Sequence, residues 1–296
     1  MSKHYDILIF GHPSRSVHFL PSGEKNSWVG GSVWYCIYSA LAGGNNVGAV
    51  LKYAPEDKEI CDIFPLPPED IYYRPSARTM SVGTTFLSED KEHRRSDALR
   101  IADPFIVADI PGATADVYYV AGLMLGDCDP GVYVELSKRG PLALDVQGLL
   151  RCPDDTGEMV YRDWPEKEKY FPYVTFLKTD AAEAQVLTGL SDRYEAAKVI
   201  HGWGSKEVLI SHNTGMLAYD GREFAAWPVV SRNISGRSGR GDTTMAAYIT
   251  ERQRRNMSDA LRYATATVSL KMESPGPIKA SRAEIEDYME RFLKEP

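Results

Sequence analysis

The stretch Ser235-Gly236-Arg237-Ser238-Gly239-Arg240-Gly241-Asp242-Thr243-Thr244 concentrates the residues most able to do chemistry. Its glycines lead directly into an apolar pattern of helical period. Glycine lets successive backbone N–H groups converge, and a helix N-terminus adds partial positive charge, so the segment reads as an anion site. A carboxylate at that point, Asp242, is at odds with an anion unless it handles a proton. It could accept the proton of a hydroxyl as a phosphoryl group arrives. A plain N-cap role accounts for the same residue about equally well. The chain has no P-loop signature ending in Gly-Lys-Ser/Thr, which excludes that class of kinase.

A loop of this kind needs a rigid edge to stand on. Apolar runs predict buried strands at 6–10, 47–51, 117–120, 142–144, 174–177 and 208–210. Helical spacing predicts helices over 32–42, 181–188, 193–201, 241–254, 258–272 and 283–293. Asp220-Gly221 marks a hairpin within 216–224. Strands alternating with helices define an α/β fold with a mostly parallel central sheet and helices on both faces. Ligands then bind beyond the carboxyl ends of the strands. Segments 14–29 and 76–90 lack a helical pattern, and Val17-His18-Phe19 is expected to pair with 78–86 in a small β-lid. With no repeat and no low-complexity linker, residues 1–296 are expected to form one domain.

Composition narrows the function. The chain is 43% hydrophobic and 25% charged, as in ordinary globular proteins. Its net charge of −7 and lack of a long basic run argue against a nucleic-acid ligand. No apolar stretch is long enough for a membrane span. Cys36, Cys61, Cys128 and Cys152 lie far apart without a C-x-x-C, so neither a zinc site nor a disulfide framework is expected. The N-terminus runs straight into a strand, which argues against a signal peptide and for a cytoplasmic setting.

Four further segments accompany the loop in order. Gly30-Gly31 opens a helix, Asp180-Ala181-Ala182-Glu183 follows a strand, Ser211-His212-Asn213-Thr214-Gly215 follows another, and 269–277 closes the helical region. Together with the loop they resemble the ribokinase-like (PfkB) carbohydrate kinases over nearly the whole chain. A closer resemblance, to the myo-inositol kinase branch, is carried by residues 100–111, by Leu144-Asp145-Val146-Gln147-Gly148-Leu149-Leu150-Arg151 and by Phe176-Leu177-Lys178.

The resemblance implies a ribokinase-like fold and ATP-dependent phosphorylation of a small polyol or sugar, with myo-inositol as best guess. A nucleoside or other sugar is the alternative acceptor, and a non-catalytic binding protein the alternative class. Asp242 would be the base, with the amides of Gly239, Arg240 and Gly241 on the transferred phosphoryl group. Lys178, Ser211, Asn213, Thr214, Gly215 and Ser238 would bind ATP. Ser14, Gly30, Gly31, Asp145, Gln147 and Arg151 would bind the acceptor. Asp180 and Glu183 would hold Mg²⁺, and residues 268–277 would wall the adenine. Dimers through the lid occur in relatives. The sequence departs from the family pattern at several points. Gly236 replaces an Asp that helps form a monovalent-cation site in many relatives. Arg240 replaces an Ala, either as a cation near the phosphates or as a solvated side chain. Ser16 and Tyr35 replace residues of the usual sugar clamp.

Overall fold

Runs that are apolar throughout become strands buried on both sides. The computed structural model describes residues 3–87 and 94–294. Positions 88–90 of the expected lid segment lie outside the described residues. The first half comprises β1 (His4–Gly11), β2 (Ser14–Phe19), β3 (Lys25–Gly30), α1 (Ser32–Ala42), β4 (Val47–Tyr53), β5 (Ile71–Pro75), β6 (Met80–Phe86), β7 (Arg94–Arg100), β8 (Thr114–Val120) and α2 (Pro130–Arg139). Next come β9 (Leu142–Asp145), α3 (Gln147–Leu150), β10 (Arg151–Pro153), β11 (Met159–Tyr161), α4 (Lys167–Tyr170), β12 (Phe176–Asp180), α5 (Ala181–Thr188) and α6 (Arg193–Gly202). The chain ends with β13 (Glu207–His212), β14 (Gly215–Tyr219), β15 (Phe224–Pro228), α7 (Arg240–Arg252), α8 (Met257–Met272) and α9 (Arg282–Phe292).

Among the described residues, nine strands form the central sheet in the order β15-β14-β13-β12-β9-β8-β1-β4-β5. All neighbours from β13 to β5 run parallel, and β14 and β15 form an antiparallel edge. Alternate side chains serve opposite faces. Ile7 and Ile9 pack with Val33, Ile37, Ile249 and Leu261 from α1, α7 and α8. Leu8 and Phe10 pack with Leu136, Ala184 and Ile200 from α2, α5 and α6. The sheet is thus covered on both faces, as the alternation of patterns predicts.

A second sheet of four strands, ordered β3-β2-β6-β7, stands beside the first. Val17 pairs with Gly83 and His18 with Thr84, so the expected contact of 17–19 with 78–86 is present, in parallel register. One expectation shifts, and one helix is additional. The strand expected from Val174 begins at Phe176, because Phe171–Tyr173 winds into a short 3-10 turn first. Helix α2 was not predicted, although Asp129 caps Gly131 N at 2.7 Å and Pro130 sits at the first helical position.

Candidate active site

The carboxyl ends of β9, β12 and β13, the N-terminus of α7 and the inner side of the four-stranded sheet enclose a cleft of about 600 Å³. One end is built on the glycine loop. Gly239 caps α7 with a left-handed backbone (φ 77°), and a Cβ there would fall 2.2 Å from the Tyr35 ring. A Cβ on Gly241 would fall 2.2 Å from Lys178 Nζ. Glycine at 241 therefore lets a buried ammonium touch the first turn of the helix. Asp242 is the third residue of α7 and makes no capping hydrogen bond, so the N-cap reading is set aside.

The parallel register of β9 and β12 places Asp145 opposite Lys178. Lys178 Nζ donates to Asp145 Oδ2 at 3.0 Å, and both side chains are buried. Burial works against the Lys178 ammonium, but Asp145, Glu183 and Asp242 outweigh it and raise its pKa. Burial, reinforced by the charge of Asp145, pushes the Asp242 carboxyl up to about 6, against the pull of Lys178, Ser32 and Lys271. Asp242 thus becomes a stronger base than a solvated carboxylate while still ionising below neutrality.

Asp180 and Glu183 both face the cleft. They cap α5 reciprocally: Asp180 Oδ1 accepts from Glu183 N at 2.8 Å, and Glu183 Oε2 accepts from Asp180 N at 2.8 Å. Burial pushes the Glu183 carboxyl up to about 7, with Lys178 opposing. Each carboxylate keeps one oxygen outside the capping box. Among the described residues no group of three or more His, Cys, Asp or Glu could hold a metal. Two carboxylates fit Mg²⁺, which keeps several waters and completes its shell with phosphate oxygens.

The other end of the cleft is made of side chains from scattered strands: Ser14, Ser16 and His18 of β2, Trp28 of β3, Thr84 of β6, Ser96 of β7, Arg151 of β10 and Tyr161 of β11. Ser14 and Ser16 hydroxyls lie 3.3 Å apart. Gln147 N donates to Asp145 Oδ1 at 3.0 Å, which ties the β9 turn together. Gly31 lines the cleft with φ 104°, where a Cβ would meet the His12 carbonyl at 2.7 Å.

Most of the expected residues converge on this cleft, including Ser211, Asn213, Ser238 and Arg240. Three do not. Gly30 is buried in β3, opposite Ser14. Thr214 and Gly215 line a separate hollow with Arg193, Met216 and Trp227. The reason is local: His212 pairs with Gly215 across a two-residue turn, and His212 Nδ1 closes that turn on Thr214 Oγ1 at 2.9 Å. Arg240 is half-buried and donates to Asn213 Oδ1 instead of pointing to solvent. Sequence reasoning did not single out Ser32, Thr84, Ser96, Tyr161 or Arg237. Only Arg237, inside the glycine loop, carried a local signal.

A mostly parallel α/β sheet with a glycine loop, a buried ammonium and a raised carboxylate at its carboxyl edge is a setting suited to phosphoryl transfer. The model of the pfkB family carbohydrate kinase matches residues 107–284, and the chain belongs to that family. It is 28% identical to a pyrophosphate-dependent kinase of the ribokinase family, solved with a pyrophosphate analog and myo-inositol. That match covers 95% of this chain and 99% of the other, with a TM-score of 0.84. A cytidine kinase of Thermococcus kodakarensis is 40% identical over 70 residues, which span only a quarter (25%) of its length. The ribokinase of Arabidopsis thaliana, solved with ribose and ATP, shares the fold at 14% identity and a TM-score of 0.75. No helix among the described residues is long and apolar enough to cross a membrane.

Proposed function

We propose that the protein phosphorylates a hydroxyl of a cyclic polyol of the myo-inositol class, and that its donor is pyrophosphate. The observation that carries the donor is the tight 213–214 turn. It withdraws Thr214 and Gly215 from the cleft, while Arg237 and Arg240 remain in it beside Lys178. Burial, and the nearby Arg237 cation, lower the Arg240 pKa despite Asp180 and Glu183. Two guanidinium groups lining one cleft match a compact polyanion. The polyol reading is supported by the hydroxyl, amide and guanidinium groups of Ser14, Ser16, Gln147 and Arg151 at the acceptor end. It also draws on the relative solved with myo-inositol.

In this reading the acceptor oxygen attacks the terminal phosphorus, the bridging P–O bond breaks, and phosphate leaves. Asp242 takes the hydroxyl proton. The amides of Gly239, Arg240 and Gly241, with the α7 dipole, hold the charge on the transferred group. Lys178 neutralises charge from the β12 side. Asp180 and Glu183 would hold Mg²⁺, which would supply charge neutralisation at the phosphate oxygens. The four-stranded sheet acts as a lid that keeps water from the donor, and residues 1–296 work as one kinase domain.

ATP is the second reading for the donor, favoured by Ile234 and by Met272 of the 268–277 wall, which offer apolar surface at the cleft. The test is phosphorylated-product formation from pyrophosphate and from MgATP against myo-inositol, ribose, fructose and cytidine. Turnover of myo-inositol with pyrophosphate is expected. Turnover only with ATP removes the donor assignment, and turnover only with cytidine or a sugar removes the acceptor assignment.

A further inference from the structure

Lys271 lies on the last turn of α8, 1% exposed, and is absent from the cleft wall. Its Nζ donates to the backbone carbonyl of Gly236 at 2.6 Å and to that of Ser238. It also lies 5.1 Å from the centre of the Tyr35 ring, within reach of a cation–π contact. Burying an ammonium is costly unless its charge and N–H donors find partners. Here both of its acceptors are carbonyls of the glycine loop.

Peptide geometry shows what the two bonds accomplish. A planar trans peptide points its C=O and the following N–H in opposite directions, and none of the described peptide bonds is cis. Drawing the Gly236 and Ser238 carbonyls onto Lys271 therefore turns the N–H groups of Arg237 and Gly239 away from it. Arg237, Ser238 and Gly239 line the cleft. The loop is fixed to α8 at further points. Gly236 N donates to Met272 O at 2.8 Å, Ser235 Oγ donates to Glu273 O at 2.8 Å, and a Cβ on Gly236 would fall 1.9 Å from Ser274 O. These contacts set where the loop lies, and the ammonium sets which way its peptides face.

We propose that Lys271 is a positioning residue, a built-in cation whose hold on two loop carbonyls aims the loop amides at the phosphate donor. The proposal rests on the anion-binding role of that loop. The titratable groups facing the ammonium are Asp242 of α7 and Tyr35 of α1. Burial pushes the Tyr35 phenol up to about 12, with Asp242 pushing the same way, so it stays neutral over the working range. Burial also brings Lys271 down to about 8, with Asp242 opposing. Donor affinity should therefore fall as pH rises through that value.

Calorimetric titration of pyrophosphate, and separately of MgATP, into wild type, Lys271→Met and Lys271→Ala tests the role without turnover. Both variants are expected to bind the donor at least tenfold more weakly. Ammonium chloride should restore much of the loss in Lys271→Ala, whereas tetramethylammonium chloride at equal ionic strength should not, because it is too large for a site shaped for a primary ammonium. The weakening above pH 8 expected of wild type should be missing from Lys271→Met. Thermal melts establish folding, and if the alanine variant fails to fold, Lys271→Met, which keeps most of the stem volume, carries the test. A folded Lys271→Met that binds the donor within twofold of wild type overturns the proposal alone. Wild type that binds neither donor overturns the reading of the loop, and the proposal with it.

Discussion

The two ends of the cleft are built by different means. At the glycine loop the backbone shapes the cleft. Gly239 takes a left-handed turn against the Tyr35 ring, where a Cβ would clash, and Gly241 leaves the room that Lys178 Nζ occupies. At the acceptor end, side chains from β2, β3, β6, β7, β10 and β11 meet across more than 140 residues of sequence. The first construction fixes one geometry, as suits a reacting group common to every substrate of the class. The second can change one side chain at a time, so it is where specificity can vary. A substitution in the loop should therefore damage every reaction, and one in the four-stranded sheet should act on one substrate only.

The largest effect is expected from Asp242→Asn. Losing a general base costs roughly 10²–10⁴-fold in rate, so kcat should fall by that factor with every acceptor. Donor affinity should hold, measured by calorimetry. A variant that retained near-normal kcat would remove Asp242 as the base. Gly241→Ala comes next. Its Cβ would push Lys178 off Asp145, and breaking a buried ion pair costs up to about 3–5 kcal/mol. A scanning-calorimetry Tm far below wild type and a weakened donor are expected together. Loss of acceptor affinity alone would break the contrast between the two ends.

The same contrast explains what the sequence revealed. The loop and its helix could be read because glycine spacing and apolar period are local signals, and α7 starts at Arg240 where that reading placed it within one residue. The central strands could be read because a parallel sheet covered on both faces needs unbroken apolar runs. Tyr161 and Ser96 could not: Tyr161 ends a three-residue strand, and Ser96 lies in a polar strand with no local mark. Lys271 escaped for a different reason. It is a lone charge near the end of a largely buried helix, with no motif around it, and its partners lie 33 and 35 positions away. Thr214 and Gly215 were misplaced because a family-like loop pattern conceals how tight the turn is until His212 is seen closing it.

The raised carboxylates give an effect of intermediate size. Folded Asp242 and Glu183 hold their protons up to about 6 and 7, whereas their ordinary values are 3.8 and 4.5. The folded state thus binds more protons than the unfolded one between these limits. Each tenfold difference in proton affinity between the folded and unfolded states is worth about 1.36 kcal/mol. Stability of the free protein should therefore fall as pH rises from about 4 to 7, by on the order of a few kcal/mol. Turnover should run the other way, since the base works only when ionised, and acceptor kcat/KM should climb through an apparent pKa near 6. The double variant Asp242→Asn, Glu183→Gln should flatten the stability profile in thermal melts across that range. A profile that keeps its slope would place the titrating groups elsewhere.

The smallest effect should come from Arg15, which ties the four-stranded sheet to the segment after β4. Arg15 Nε donates to Asp57 Oδ1 at 2.8 Å, and its Nη2 also reaches Glu59. Arg15 is partly exposed, and ion pairs in that setting contribute about 0.2–1 kcal/mol. Arg15→Ala should therefore lower Tm by only a few degrees. Its effect on binding should be selective. Freed from Asp57, β2 holds Ser14, Ser16 and His18 less firmly over the acceptor, so acceptor KM should rise severalfold. Pyrophosphate affinity should stay within twofold, because no loop amide depends on β2. Added salt should shrink the difference between variant and wild type, as it screens the pair that was removed. An equal loss at both substrates would mean that the two ends move as one body, and the separation of backbone-built and side-chain-built halves would not survive it.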